Sequence, residues 1–327
     1  IGTWQVRDGV ATWHSRDESA RVAEVAEGVL ELTLCWPGLT AADGELRLRI
    51  DAVQRARGWQ FVVSSEALAE AGRIALNLQP PVPAGDAAHA AAVGSEAILP
   101  DAMMRRIWPT VFGLIGENAP AGMLDLVHMR HRIERAPEAV PTLRSQRQRA
   151  DGYTLTTIAG AGEWVSTDDF FVRSPGVPEE SAMARSEEAV DTPHLLLGTV
   201  EGRAPRDLTT FAAVSGDLHP IHRSDSLARL VGLPGRIVHG MWTSAFGQRA
   251  AVELACGGDV DRLQEWDITF MAPVLPGDEL RATATRTGMR AGRRQVEIVI
   301  ETADEVVAIG TAIVSGPRTA YVFPGQG

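Results

Sequence analysis

The sequence predicts an α+β chain: two tandem units, each a long helix held against an antiparallel sheet, behind an N-terminal region of mixed α+β structure. Three observations predict it. The stretch Val238–Cys256 is apolar on nearly every side, with Met241, Trp242, Phe246, Val252 and Leu254 among small residues, as a helix buried all round requires. Four runs of strand character follow it, Glu265–Ala272, Glu279–Thr287, Arg294–Ala303 and Val306–Ser315, separated by the turn-rich Pro276-Gly277-Asp278, Gly288–Gly292 and Asp304-Glu305. An earlier helix followed by a strand, Asp101–Ile115 and Met123–Glu134, has the same layout.

Residues 1–95 form the N-terminal mixed α+β region. In Gly28–Trp36, Leu30, Leu32 and Leu34 alternate with Val29, Glu31 and Thr33; in Gly44–Val53, Leu46, Leu48 and Ile50 alternate with Glu45, Arg47 and Arg49. Pro37-Gly38 between them predicts a hairpin. Trp59–Ser64 adds a strand and Glu66–Arg73 a helix. His14 and His89 stand in polar surroundings and read as surface residues. Residues 80–100, with Pro80-Pro81, Pro83, Gly85 and an Ala-rich run, read as a linker or exposed crossing segment.

Residues 96–190 form the first unit. Met103, Met104, Ile107, Trp108, Val111, Phe112 and Ile115 recur at three- and four-residue spacings, and Gly116 and Gly122 are expected to break the helix. In the strand beyond, Leu124, Leu126, His128 and Arg130 share one side. His128 and His131, three apart, are expected on opposite faces, which disfavours a shared metal, and no metal is expected. Strands are predicted at Gly152–Ile158 and Glu163–Val172, but Pro141–Pro178 is short and polar for a full unit, so a reduced one is expected. Gly176–Glu188 is acidic and turn-rich, a connection between the units. In the second unit, 191–316, the strand Arg294–Ala303 alternates only loosely and reads as covered on both faces.

A chain of 327 residues has room for two or three cores. Its net charge of −11 excludes nucleic acid and anionic membrane as partners. No apolar run approaches the roughly twenty residues that span a bilayer. It holds no lysine, so every fixed cation is an arginine, and Cys35 and Cys256 form neither a disulfide framework nor a zinc spacing. A reducing, cytoplasmic setting is expected. The chain opens Ile-Gly-Thr-Trp with no secretory signal, as a piece of a longer polypeptide is expected to.

The chemistry gathers in Phe211–Ala255. Ser215-Gly216-Asp217 reads as a turn and Pro220 fixes the chain leading to His222, so Asp217 and His222 share one rigid loop. A second segment, Gly232-Leu-Pro-Gly-Arg-Ile-Val-His-Gly-Met241, restarts the chain and opens a helix near His239-Gly240. Its first backbone N–H groups have no partner within the helix and suit a polarised carbonyl oxygen.

The run Ser-Gly-Asp-x-His-Pro-x-His, followed about fifteen residues later by Val-His-Gly-Met, resembles the hydratase and dehydratase branch of the hot-dog fold, the MaoC-like enzymes. The resemblance implies a double hot dog, pseudo-dimeric, in which the first unit, lacking this run, is a degenerate non-catalytic partner. It implies interconversion of (R)-3-hydroxyacyl and trans-2-enoyl thioesters, with His222 as the base for the C2 proton and Asp217 either protonating the hydroxyl or orienting the water that forms. Gly240 N–H is the expected oxyanion donor. His219 stands where stand-alone hydratases carry Asn, so its part in substrate binding is open; His239 reads first as a capping or packing residue and second as a substrate-binding one.

The final Ala320-Tyr-Val-Phe-Pro-Gly-Gln-Gly327 resembles the opening of malonyl and acyl transferases, which places 317–327 at the start of such a domain. Together the two resemblances imply the dehydratase region of a type I fatty acid synthase of the fungal and actinobacterial kind, the composition leaning to the actinobacterial version. No cofactor is implied beyond the phosphopantetheine that carries the substrate. The implied partners are an acyl carrier protein domain, neighbouring enoyl reductase and malonyl/palmitoyl transferase domains, and further copies in a homo-oligomeric complex. A stand-alone (R)-specific enoyl-CoA hydratase and a non-catalytic hot-dog scaffold are the alternatives.

Overall fold

In the computed structural model the described residues are 3–317, apart from 8–9, 15–17, 27–28, 36–44, 56–57, 64–84, 120–125, 137–138, 150–151, 173–189 and 231. The helix expected at 66–73, the connection at 176–188 and the transferase-like terminus lie outside them.

The N-terminal region is a six-stranded antiparallel meander, β1 (Thr3–Arg7), β2 (Val10–His14), β3 (Ser19–Ala26), β4 (Val29–Cys35), β5 (Leu46–Arg55) and β6 (Gly58–Val63), in sequence order. The expected hairpin is β4–β5, with Leu30 opposite Ile50, Leu32 opposite Leu48 and Leu34 opposite Leu46. Alternation puts these leucines on one face, and Leu32, Leu34, Leu46 and Leu48 are buried there.

A nine-stranded sheet makes the rest, in the order β11-β13-β14-β15-β12-β7-β10-β9-β8. Its first half holds β7 (Val127–Arg135), β8 (Thr142–Arg149), β9 (Gly152–Ala161) and β10 (Trp164–Val172). The second holds β11 (Val190–Arg203), β12 (Leu263–Phe270), β13 (Glu279–Arg290), β14 (Arg293–Glu301) and β15 (Val306–Val314). The order β7-β10-β9-β8 mirrors β12-β15-β14-β13, and β7 pairs with β12 at the seam, Ile133 opposite Trp266 and His131 opposite Ile268. Each half carries its own long helix, so the fold is a tandem hot dog.

Several sequence expectations need correction. The Ala-rich segment is not an exposed linker: Asp86–Ala92 is a helix, α1, because alanine is the best helix former. It is held by Trp242 Nε1, which donates to Ala92 O at 3.1 Å, and by Arg105 and Arg106 on Asp86. His89 is therefore buried rather than at the surface, its ring 5.5 Å from that of Phe211. A short 3-10 turn, Pro100–Met103, leads into α2 (Met104–Asn118), which runs on through Gly116 with Trp108, Val111, Phe112 and Ile115 buried. Packing of that apolar stripe outweighs the cost of one glycine, about 1 kcal/mol. The first half is less reduced than expected, because Thr142–Arg149 forms β8. In β14 only one face is covered, Val296, Ile298 and Ile300 being buried between less buried neighbours.

The remaining helices are α3 (Thr209–Ser215), α4 (Asp225–Leu230) and α5 (Gly240–Leu254). The last is buried on all sides, as its sequence requires. The Trp266 indole lies so close to β15 and to α5 that a Cβ on Gly310 would stand 2.3 Å from its ring and one on Gly247 2.9 Å from it. Trp266 Nε1 donates to Ser244 Oγ at 2.9 Å, which satisfies a polar atom in an otherwise apolar layer. The N-terminal sheet reaches this half through Glu18, whose carboxylate accepts from Asp225 N and Ser224 Oγ at the start of α4.

Candidate active site

The loop after α3 is closed by its own side chains. Gly216 takes φ 76°, a left-handed conformation cheap for glycine, and ends α3. Asp217 N then donates to Ser215 Oγ (3.2 Å), His219 N to Asp217 Oδ1 (3.0 Å) and Ile221 N to His219 Nδ1 (3.3 Å). Pro220 starts the 3-10 turn Pro220–His222. The second segment is laced to this loop and to the strand region: Ile237 N donates to Ile221 O at 3.1 Å and Val238 N to Val274 O at 2.8 Å. His239 is the extended residue ahead of α5, and Gly240 is its first helical residue.

These bonds bring Asp217 and His222 together. His222 Nδ1 donates to Ile237 O at 2.8 Å, which fixes the tautomer and leaves the Nε2 lone pair free, 3.8 Å from Asp217 Oδ2. The His239 ring stacks on that of His222, and its Nε2 donates to Asp217 O at 3.1 Å. Burial lowers the pKa of His222, the Asp217 carboxylate opposing only in part, so the imidazole is neutral at physiological pH. Burial and the neighbouring imidazoles push His239 down to about 3. Burial alone raises Asp217, but His222, His239, His219 and the His219 N–H outweigh it and hold the carboxyl below its usual range.

A cavity of about 230 Å³ opens beside them, bordered by Asp217, His219, His222 and Gly240 and walled by Trp108, Phe112, Phe170, Met241 and Phe270. The structure thus brings together four of the five residues singled out in the sequence. His239 is the exception: fully buried behind His222, it does not border the cavity, and it acts on the site through Asp217 and His222. The α5 N-terminus presents an amide without an intrahelical acceptor next to the cavity, as an oxyanion donor requires.

Sequence reasoning missed a second polar group, on the first half. His128 and His131 do not diverge: both reach Asp168, His128 Nε2 at 2.9 Å and His131 Nδ1 at 2.7 Å from the same Oδ1. The cause is a β-bulge. Between Asp169 opposite Arg130 and Phe170 opposite His128, β7 carries Met129 as an extra residue, which shifts the alternation and turns His128 to the face of His131. His131 is wholly buried, with Asp101 Oδ1 at 3.0 Å on its other nitrogen. Against its burial, the Asp101 and Asp168 carboxylates raise its pKa to about 10, and it is an imidazolium. Asp168 is held far below the usual carboxylate range despite its burial, by His131 and His128. Gln248 of α5 completes the group by donating to Asp101 Oδ1. His128, His131 and Asp168 together have metal-ligand atoms within reach of one another, but both nitrogens of His131 are taken up by carboxylates and it has no lone pair to give.

Residues 178–308 match the family described as MaoC like domain. The fatty acid synthase subunit beta of Schizosaccharomyces pombe is 42% identical over 127 residues, 38% of this chain and 6% of that protein. That of Saccharomyces cerevisiae is 32% identical over 171 residues, 52% of this chain and 8% of that one. The matched stretch is thus under a tenth of the length of these relatives. They are fungal, and the actinobacterial leaning of the composition finds no support in them. Among solved structures, a MaoC-like dehydratase superposes with a TM-score of 0.55 at 15% identity, over 72% of this chain and 96% of that one. One from Phytophthora Capsici gives 0.53 at 16%, over 70% and 90%. At such identities the likeness is one of fold.

Proposed function

We propose, from the MaoC-like dehydratase domain that the chain carries over residues 178–308, that it dehydrates (R)-3-hydroxyacyl thioesters to trans-2-enoyl thioesters in fatty acid synthesis, with the acyl group presented by an acyl carrier protein. The observation that carries this reading is Asp217 Oδ2 and His222 Nε2, 3.8 Å apart on the wall of a largely apolar cavity. That gap is too long for a direct hydrogen bond and leaves a reacting oxygen able to meet both atoms.

His222 Nε2 takes the C2 proton, its lone pair free because Nδ1–H is held by Ile237 O. Negative charge gathering on the thioester oxygen is met by Gly240 N–H at the start of α5. The buried Asp217 carboxylate stabilises the imidazolium that forms, and its lowered pKa suits this ionised role better than that of an acid. As the C3–O bond breaks, the departing oxygen receives the proton from Nε2 and leaves as water, oriented by Asp217. The enzyme ends in the protonation state in which it began.

The similarity to synthase subunits supports a multienzyme setting, in which enoyl reductase and malonyl/palmitoyl transferase domains neighbour this one and copies assemble. Work in the cytoplasm on a tethered substrate is part of this proposal; no helix among the described residues is long and apolar enough to cross a membrane.

The test is dehydration of an (R)-3-hydroxyacyl thioester by the purified chain, on carrier-protein and CoA forms, with His222→Ala and Asp217→Asn alongside. Loss of two or more orders of magnitude in each variant is expected. Preference for the CoA form would favour a stand-alone hydratase, and a parent no faster than its variants would favour a scaffold.

A further inference from the structure

The cavity has two polar walls. One is the Asp217–His222 loop of the second half; the other is a single imidazole, His128, from the half whose sequence lacks the catalytic run. Around His128 the surroundings are aromatic, with Phe170 stacked at 4.6 Å between centroids, Phe270 at 5.2 Å and Trp108 edge-on at 5.9 Å. An imidazole set among three aromatic rings at the edge of a cavity has given up much of its water, and a packing role alone would be met by another phenyl ring.

Its orientation is fixed from behind. Nε2 faces Asp168 Oδ1, a carboxylate that has no proton to give, so Nε2 carries the hydrogen and donates it. Asp168 is itself held by Ser166 Oγ and by His131, and His131 by Asp101. The nitrogen left over is Nδ1, which in this tautomer is an acceptor. Phe270 gives a measure of where the ring stands: the same phenyl ring that lies 5.2 Å from His128 is 3.3 Å from where a Cβ on Gly240 would be. His128 is therefore one ring away from the oxyanion end of α5.

We propose that His128 is a substrate-contacting residue, and that its Nδ1 accepts a hydrogen bond from the 3-hydroxyl of the bound acyl chain. This rests on the dehydratase reading above. That hydroxyl is the one O–H donor at the reacting end of the substrate, and it is absent from the enoyl product. The hydroxyl keeps its own hydrogen and points it at His128 Nδ1, while the proton delivered from His222 arrives on the side of Asp217, so the two polar walls hold the leaving water between them. The first half thus supplies discrimination between hydroxyacyl and product, without taking part in proton transfer.

The experiment measures binding in the His222→Ala background, where the ligand is not consumed, using an (R)-3-hydroxyacyl thioester and the saturated acyl thioester of equal length. His128→Phe, which keeps a ring but no acceptor, is expected to weaken hydroxyacyl binding about 3- to 10-fold, the range of one neutral hydrogen bond, and to leave the saturated ligand unchanged. His128→Asn, which keeps a polar atom near the position of Nδ1, is expected to recover part of the difference. Equal change for both ligands, or no change for either, overturns the proposal while leaving the dehydratase reading in place. Failure of the background protein to bind either thioester removes both. Circular dichroism and the thermal transition of each variant show that the fold is kept.

Discussion

The rings of His222 and His239 lie 3.9 Å apart between centroids, with planes 24° apart, and His239 Nε2 donates to the backbone oxygen of Asp217. One buried imidazole thus positions both Asp217 and His222, the groups proposed to react, without bordering the cavity. His239→Phe keeps the stacking and loses the hydrogen bond. It is expected to lower kcat about 10-fold with little change in KM, and His239→Ala, which loses both, to lower it further. Steady-state kinetics on the two variants checks this order.

Because burial lowers the pKa of His222, the proposed base stays neutral below the ordinary imidazole range. The acid limb of kcat/KM is expected below pH 6.5, the ordinary histidine value. A pH–rate profile with its acid limb above 6.5 would contradict a neutral, desolvated base.

Stability should fall on both sides of pH 6.5, for opposite reasons. His239 has a folded pKa near 3, below the 6.5 it has when unfolded, so its neutral burial costs stability as pH falls from 6.5 towards 3. His131 has a folded pKa near 10, above its unfolded 6.5, so its contribution is whole below 6.5 and is lost as pH rises towards 10. Denaturant unfolding across this range is expected to show a maximum near neutrality. His239→Phe should flatten the acid side alone.

A Cβ at Gly240 would stand 3.3 Å from the Phe270 ring, so alanine there requires a shift of a few tenths of an ångström at the first turn of α5. Gly240→Ala is expected to lower turnover about 10-fold by moving the oxyanion amide, and Gly240→Ala with Phe270→Leu to recover part of it. Unchanged turnover in the single variant would remove Gly240 N–H from the mechanism.

Asp101 offers the sharpest test of the buried ion group. Asp101→Ala would leave the His131 imidazolium with one carboxylate in place of two and Gln248 Nε2 without its acceptor. A loss of about 3–5 kcal/mol is expected, the range for removing one partner of a buried pair. Urea denaturation measures it.

The parts of the fold legible in the sequence were those with a local cause. Helix α5 and strands β12 to β15 follow from continuous apolar runs and Gly or Pro punctuation, and the Asp217 loop follows from Gly216 and Pro220. The edge strands were not legible. In β8, Thr-Leu-Arg-Ser-Gln-Arg-Gln-Arg has few apolar residues because it lies at the sheet edge, and β11 carries Pro193, Gly198 and two register shifts that erase its alternation. Nor could the meeting of His128 with Asp168 be read locally, since it depends on a bulge set by pairing between β7 and β10.

That bulge has a consequence for descent as well as for shape. Because Met129 has no partner in β10, one codon added between Asp169 and Phe170 would match it, restore regular alternation in β7 and turn His128, three residues from His131, away from the cavity. The polarity of this wall is encoded in the relative lengths of two paired strands, so one inserted residue in β10 would change it with no substitution at the site.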